Sequence, residues 1–439
     1  MPDKGLLELT ISSKLNPNET VSQAQSLLSL CARWTKQKGF ALIWRRIALA
    51  CVDHACHVLV MLEEDGPETK APPERLRSLD VLRGFDMFWI IGGKTVILAL
   101  AAVFSVDLSE WLGHRLHHPE WHGFEPYDLI FPLFLFIAGV STVYSIDNRL
   151  AKGGSRAGLH LHFVQRGLML VLLGVLYNGL FSRDLASAEG WGEMRYASVL
   201  GRIGLAYMFA ALITANTQWR AQLIWVVGLL VGYWAALRFI PVPEFGAGDL
   251  RAGHTLTDYI DRHLVPGKLY KDVHDPEGLF AVIPAIATAL LGCLTGQLLK
   301  RNDIDGLKKT RFMAIAGVVC LGLAWLWSID FPFNKNLWSS SFVLNCAGWS
   351  LLLLSLFYLV IDVYQFRRGT LFFTVIGANS ILIYMAPSFF DFDYTNESLF
   401  GGILMLAGEH RTLLLAVTLL AIKWGLLYCL YRKKIFLKV

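Results

Sequence analysis

Ten apolar stretches, each about 17 to 22 residues long, divide the chain between residues 84 and 430: 84–104, 128–147, 163–181, 197–214, 222–240, 279–299, 312–328, 340–361, 371–387 and 412–430. A helix needs about 20 mostly apolar residues to cross the hydrocarbon core of a bilayer, and it satisfies its own backbone polar groups there. The spacing therefore predicts an all-α, polytopic transmembrane bundle of about ten spans. Segment 396–408, LFGGILMLAG with its flank, is too short and Gly-rich to cross, and reads as a re-entrant or interfacial helix.

Composition agrees. The chain has 439 residues, of which 54% are hydrophobic and 17% charged. Soluble domains carry roughly a quarter charged residues, so lipid is the main solvent expected. The net charge of +5 would suggest a nucleic-acid partner if the basic residues clustered, but they lie in short loops between apolar runs. That is a topology signal. With RLRSLD inside, the predicted cytoplasmic loops hold Arg149, Lys152 and Arg156, then Arg220, then KRNDIDGLKKTR (300–311), then Arg367 and Arg368, and finally the tail YRKKIFLKV. Loop 105–127 holds only Arg115 and loop 329–339 only Lys335, so both are placed outside.

Residues 1–74 form a separate extension. Segment 39–62 is apolar but contains Arg45, Arg46, Asp53, His54 and His57, which argues for an amphipathic surface helix over a span. EEDGPETKAPPER (63–75) is a charged linker to the membrane domain, 75–439. The first twenty residues lack a basic region followed by an apolar core, which argues against a cleaved signal peptide. Together with the compact loops, this points to a bacterial inner membrane. The seven cysteines are scattered without a CxxC pair, so neither a disulfide framework nor a zinc site is indicated. Gly-rich span faces permit close helix contacts and a homodimer.

Ionisable residues within spans are functional candidates because charge is costly there. Asp86 and Lys94 lie about 80° apart around the first helix, so both can face one interior. Arg166 and Arg202 fall in the third and fourth spans. Such an array admits a sugar transporter or exporter that uses Asp86, Lys94 and Arg202 as its path. The other concentration of polar groups is HHPEWHGFEPYDLIFPLFLFIAG (117–139). A metal would need three or four convergent ligands. Only His114/His118 and His118/His122 have helical spacing, and Pro119 and Pro126 interrupt the stretch. No metal is expected. An interfacial loop and acid–base or nucleophilic work by a histidine, oriented by a carboxylate such as Asp128, both stand on these residues alone.

RLRSLDVLRGFDMF (75–88) and HPEWHGFEPYDLIFPLFLFIAGVS (118–141) resemble the heparan-α-glucosaminide N-acetyltransferase family and its bacterial relatives. The likeness continues in order through VLGRIGLAY (199–207), DPEGLFAVIPAIATALLGCLTGQLL (275–299), NKNLWSSSFVL (334–344), GANSILIYM (377–385) and YRKKIF (431–436). It implies acetyl transfer from cytoplasmic acetyl-CoA, a co-substrate, to the amine of glucosamine or a related amino sugar across the membrane. The family pattern H-x-x-W-x-G-x-x-x-x-D-L-x-F-P falls on His118, Trp121, Gly123, Asp128, Leu129, Phe131 and Pro132. The resemblance thus implies His118 as acetyl carrier or general base, with Asp128 orienting it. Arg83, Arg166 and Lys94 are the cations assigned to the CoA donor. His122, Arg202, Glu277, Asn334, Asn336 and Asn379 are the candidate acceptor ligands. Two positions depart from the animal enzymes, which carry Asn where His122 stands and align an Asn with Lys94.

Overall fold

The computed structural model describes residues 76–180, 184 and 187–437. The expected surface helix at 39–62 and the linker at 63–75 lie outside these residues. Within them the chain is all-helical. Nine helices are long and apolar enough to cross a membrane, or ten when one bent pair counts as a single span. Each overlaps an expected span, and three begin six or seven residues earlier than expected: Arg77 against 84, Arg156 against 163 and Gly306 against 312.

In chain order the elements are α1 (Arg77–Phe104), α2 (Val106–Arg115), α3 (Pro126–Ala151), α4 (Arg156–Tyr177), α5 (Val199–Asn216), α6 (Trp219–Phe239), α7 (Leu256–Leu264) and α8 (Val282–Lys300). Then follow α9 (Gly306–Ser328), α10 (Ser340–Val363), the bent α11 (Thr370–Ala378 with Ser380–Ser388), α12 (Phe392–Leu406) and α13 (Gly408–Arg432). α12 has 15 residues and is a separate helix below spanning length. α2 and α7 are short helices inside the loops, where N-terminal caps start them. Ser105 accepts from Leu108 N, and Thr255 accepts from Asp258 N.

Burial sorts the spans into two layers. Half or more of the apolar window is buried in α3, α5, α8 and α10, and 28% or less in the other unbroken spans. α8 is the most enclosed at 72% and is apolar on nearly every face. A helix apolar all round is one that other helices surround. It crosses α3 so closely that a Cβ on Gly139 would stand 2.1 Å from Ala289 O, and one on Gly292 2.1 Å from Phe136 O. Small residues permit this approach where the surrounding lipid offers no hydrophobic drive. α1 docks on α11 by the same device, Gly84 against Phe373 and Gly377 against Asp80.

Two spans are broken. α1 opens into a π-helical turn at Trp89–Gly93, where Gly92 adopts φ 146° and ψ −5°. Only glycine enters that region without strain. Lys423 of α13 donates to the Ile91 carbonyl at 3.0 Å, inside the break. α11 bends by 71° at Asn379. Its side chain donates to Ile435 O and accepts from Leu437 N, both at 2.9 Å, which pins the chain after α13 to the bend.

The four inner helices all run in one direction, so their N-termini gather at one end of the bundle. There the loops before α3, α5, α8 and α10 meet: Gly123 N donates to Phe333 O at 2.8 Å, and Trp121 Nε1 to Leu250 O at 2.7 Å. This is the grouping that alternation of the loops predicts.

Candidate active site

The stretch before α3 folds as its residues require. Gly123 has φ 131°, a conformation glycine tolerates, and this turns its N–H onto the α9–α10 loop. Trp121 reaches the opposite way, to Leu250 O, and its ring lies 5.0 Å from that of His274. Pro126 starts a single 3₁₀ turn whose third residue is Asp128. The Asp128 carboxylate is fully buried. One oxygen accepts from Glu125 N at 2.9 Å, and the other meets His118 Nδ1 at 2.6 Å. Asp128 therefore anchors the helix start and orients the histidine together. The imidazole stands at the mouth with 44% of its side chain exposed.

Lys335 completes the arrangement. Its ammonium lies 2.9 Å from His118 Nε2, 3.2 Å from Nδ1 and 3.8 Å from Asp128 Oδ1. Burial lowers its pKa below the ordinary lysine value, and the Asp128 and Glu277 carboxylates partly oppose this. The loop that carries it is fixed on both sides. Asn334 Oδ1 accepts from Leu337 N at 2.9 Å, Tyr233 donates to Leu337 O at 2.6 Å, and the buried Trp338 donates to Thr288 at 3.2 Å. The Tyr127 ring lies 5.0 Å from the imidazole, with Lys94 Nζ 4.6 Å over that ring.

A second polar group borders the mouth. Arg195 grips Asp275 through Nε and Nη2 at 2.8 and 2.6 Å, and also pairs with Glu277. Burial opposes its charge, but the bond to Asp275 and the Glu277 carboxylate outweigh burial and raise its pKa. Arg202 is buried under Trp338, its guanidinium 5.2 Å from the ring, and donates from Nη2 to Gly278 O at 3.2 Å. Among the described residues its Nε and Nη1 have no hydrogen-bond partner, and neither has Oδ2 of the buried Asp261. Buried polar groups are nearly always paired, so unpaired donors next to this mouth suit a ligand atom or a water.

The candidate ligands fare differently. Glu277 pairs with Arg195, and Arg202 is buried beneath Trp338. His122 and Asn334 bond one another at 3.3 Å, and Asn336 donates to Glu120 O at 3.4 Å, so these three tie loop to loop. Burial lowers the His122 pKa below the usual imidazole value. Asn379 is not at this end at all, because both its amide atoms hold the segment after α13. The donor cations also separate. Arg83 bonds Ser141 at 2.9 Å and Asp80 at 3.3 Å, and Arg166 bonds Tyr207 at 3.3 Å, whereas Lys94 belongs with Tyr127 and His118. Ser141 and Asp128 share α3 and are about 20 Å apart along its axis. Asp86 is buried without a partner for Oδ2 among the described residues. Asp86, Lys94 and Arg202 thus occupy three different surroundings.

Sequence reasoning passed over Lys335, Arg195 and Asp275. The signal for Lys335 was its place between two asparagines as the single basic residue of an eleven-residue loop. It also passed over a cleft of about 390 Å³ at the opposite end of α8, lined by Asp147, Thr214, Gln297, Lys300 and Arg301 among others. Among the described residues no group of three or more His, Cys, Asp or Glu side chains is placed to hold a metal ion.

A family model described as heparan-alpha-glucosaminide N-acetyltransferase, catalytic, matches residues 75–328. The heparan-alpha-glucosaminide N-acetyltransferase of Homo sapiens is 28% identical over 431 residues, 84% of this chain and 60% of its own length. That of Mus musculus is 29% identical over 434 residues, 85% of this chain and 62% of its own. The chain thus spans about three fifths of the length of these curated relatives. The family match takes in both the His118 motif and the first seven spans, and the chain belongs to the heparan-alpha-glucosaminide N-acetyltransferase catalytic family.

Proposed function

We propose that this protein is a membrane-embedded acetyltransferase that moves the acetyl group of acetyl-CoA to the amine of glucosamine or a related amino sugar. The observation that carries the reading is the 2.6 Å contact between His118 Nδ1 and a fully buried Asp128, with 44% of the histidine side chain exposed. A carboxylate on Nδ1 leaves Nε2 as the basic, reactive nitrogen. An amino-sugar ammonium has no lone pair until it loses a proton. With Nε2 as base, that proton passes to His118, the amine attacks the thioester carbonyl, and CoA leaves as its thiol form once reprotonated. With Nε2 as nucleophile, the acetyl group rests on His118 before the amine takes it.

Acetyl-CoA is polyanionic and does not cross lipid. Its nucleotide is assigned to the end of the bundle away from His118, where Lys300, paired with Asp147, and Arg301, paired with Asp303, line a cleft and could exchange those carboxylates for phosphate oxygens. Arg83 and Arg166 are the further cations assigned to the donor. The cleft and the His118 mouth belong to opposite ends of α8, and the pantetheine arm would run between the inner helices. Arg195, Glu277 and Arg202 border the acceptor's place. The loops at the other end hold Arg149, Lys152, Arg156, Arg220, Arg367 and Arg368, which supports a cytoplasmic position for that end. The His118 mouth is then extracytoplasmic in a bacterial inner membrane.

The test is acetyl transfer by purified protein from labelled acetyl-CoA to glucosamine, with His118→Ala beside it. The expected result is transfer by the parent and loss of about 10²-fold or more in kcat for H118A, with an unchanged elution profile. Normal turnover by H118A removes His118 from the chemistry. Gradient-driven sugar uptake by vesicles, with no acetylated product, would overturn the enzyme reading.

A further inference from the structure

We infer that an apolar cavity between α1, α3, α5 and α11 is the acyl pocket of the site, and that its floor limits the donor to short acyl groups. The inference deepens the acetyltransferase reading and rests on it. The cavity measures about 40 Å³, room for roughly three water-sized groups. That is the size of an acetyl group. No polar atom faces into it. A sugar hydroxyl or a phosphate placed there would lose its hydrogen bonds to water without replacement, whereas a hydrocarbon end gains by leaving water.

Each wall leads within a few residues to a group of the site. Ile130 of α3 stands two residues after Asp128. Ile90 of α1 stands four residues before Lys94, which lies over the Tyr127 ring beside His118. Val199 of α5 follows Arg195 by four residues. Tyr384 of α11 stacks on Tyr177 with ring centroids 5.0 Å apart and lies within electrostatic reach of Glu277 and Arg195. The cavity is thus the apolar space on the membrane side of these polar groups. Phe134 of α3 and Ile203 of α5 form its floor, one turn or about 6 Å further from the His118 end. The cavity is also separate from the donor's cleft. At about 100° per residue, Ile130, Phe131 and Phe134 point about 170° away from Val143, Ile146 and Asp147, the α3 residues of that cleft. The pantetheine arm and the acyl group then take different faces of α3, and the thioester carbonyl lies between them at the polar rim.

The test uses the full chain in detergent, with acetyl-, propionyl- and butyryl-CoA as donors and glucosamine as acceptor. Phe134→Ala deepens the floor at a half-buried position, and Ile381→Phe fills the cavity from the α11 wall. The first readout is the ratio of kcat/KM for butyryl-CoA to that for acetyl-CoA. F134A is expected to raise it by about tenfold, the gain from burying two further methylenes, and I381F to lower it. The second readout is binding of S-ethyl-CoA and S-butyl-CoA, thioethers that transfer nothing. The parent is expected to prefer the ethyl compound, and F134A to lose that preference. If F134A does not elute as the parent does, I381F and the parent's own preference decide. A ratio unmoved in both variants overturns the acyl pocket, as does a loss equal for every donor or equal binding of the two thioethers by the parent. Binding that depends on chain length in a parent that transfers no acetyl group overturns the acetyltransferase reading and leaves the pocket standing. Failure of both thioethers to bind overturns both.

Discussion

Asp128→Asn tests the dyad with the smallest change in shape. The amide oxygen can still accept from Glu125 N, as the carboxylate does at 2.9 Å. The amide nitrogen then faces His118 Nδ1, where the carboxylate stood at 2.6 Å. Two donors cannot share that contact, so the imidazole moves its proton to Nε2 and presents the wrong nitrogen to substrate. Loss of a correctly oriented base costs about 10²–10⁴ in rate, toward the upper figure when the tautomer itself is wrong. We expect kcat to fall by that range and KM for acetyl-CoA to stay near the parent's. A stability effect accompanies it. Lys335 loses a carboxylate 3.8 Å away while 21% of its own side chain is exposed. Full loss at an effective dielectric near 20 would be about 4 kcal/mol, and partial exposure reduces this to about 1–3 kcal/mol. Thermal unfolding of D128N, K335M and the double variant measures the coupling: the double variant is expected to recover part of the D128N loss. A D128N protein that keeps kcat within about tenfold of the parent, less than about 1.4 kcal/mol of barrier, would refute the tautomer argument.

Asp261 gives a pH dependence that lies outside the spans. Burial pushes its carboxyl up to about 6, against the backbone donors of Phe280 and Leu279 and the charge of Arg202. The folded protein therefore holds a proton that the unfolded chain releases near its ordinary value of 3.8. This contribution is greatest below the unfolded value, falls as pH rises from about 4 to about 6, and is flat above, about 3 kcal/mol in all. Melting curves of the parent minus those of Asp261→Asn should show that slope, and parallel curves would refute it. Gly92→Ala meets no atom nearer than 3.7 Å, yet φ is 146° there. The expected loss is about 1–3 kcal/mol of stability from backbone strain alone, read by thermal unfolding, and an unchanged midpoint would mean that the π-helical turn relaxes freely.

The run lengths of apolar residues determined the spans, because a bilayer requires helices of a set length whose backbone bonds are internal. The same runs did not disclose which spans are inner. α8 and α9 read alike in hydropathy, but α8 is 72% buried and α9 22%. α8 is surrounded because it packs on α3 through contacts such as Gly139–Ala289 and also on α5, α6 and α10, which join helices far apart in sequence. The break in α1 was equally hidden, since WIIGG is as apolar as its surroundings and Lys423 comes from the last span. His118 and Asp128 were legible because ten residues separate them and a known motif joins them. Asn379 was misleading, because its amide is used by a segment 56 and 58 residues away. Lys335 stands 217 residues from the histidine it meets. Local pattern determined that a polar loop precedes an apolar helix and that its histidine has a carboxylate close by. Only the packing of α3 against α8 and α10 decided which cation meets that histidine, because charges act through distance in space.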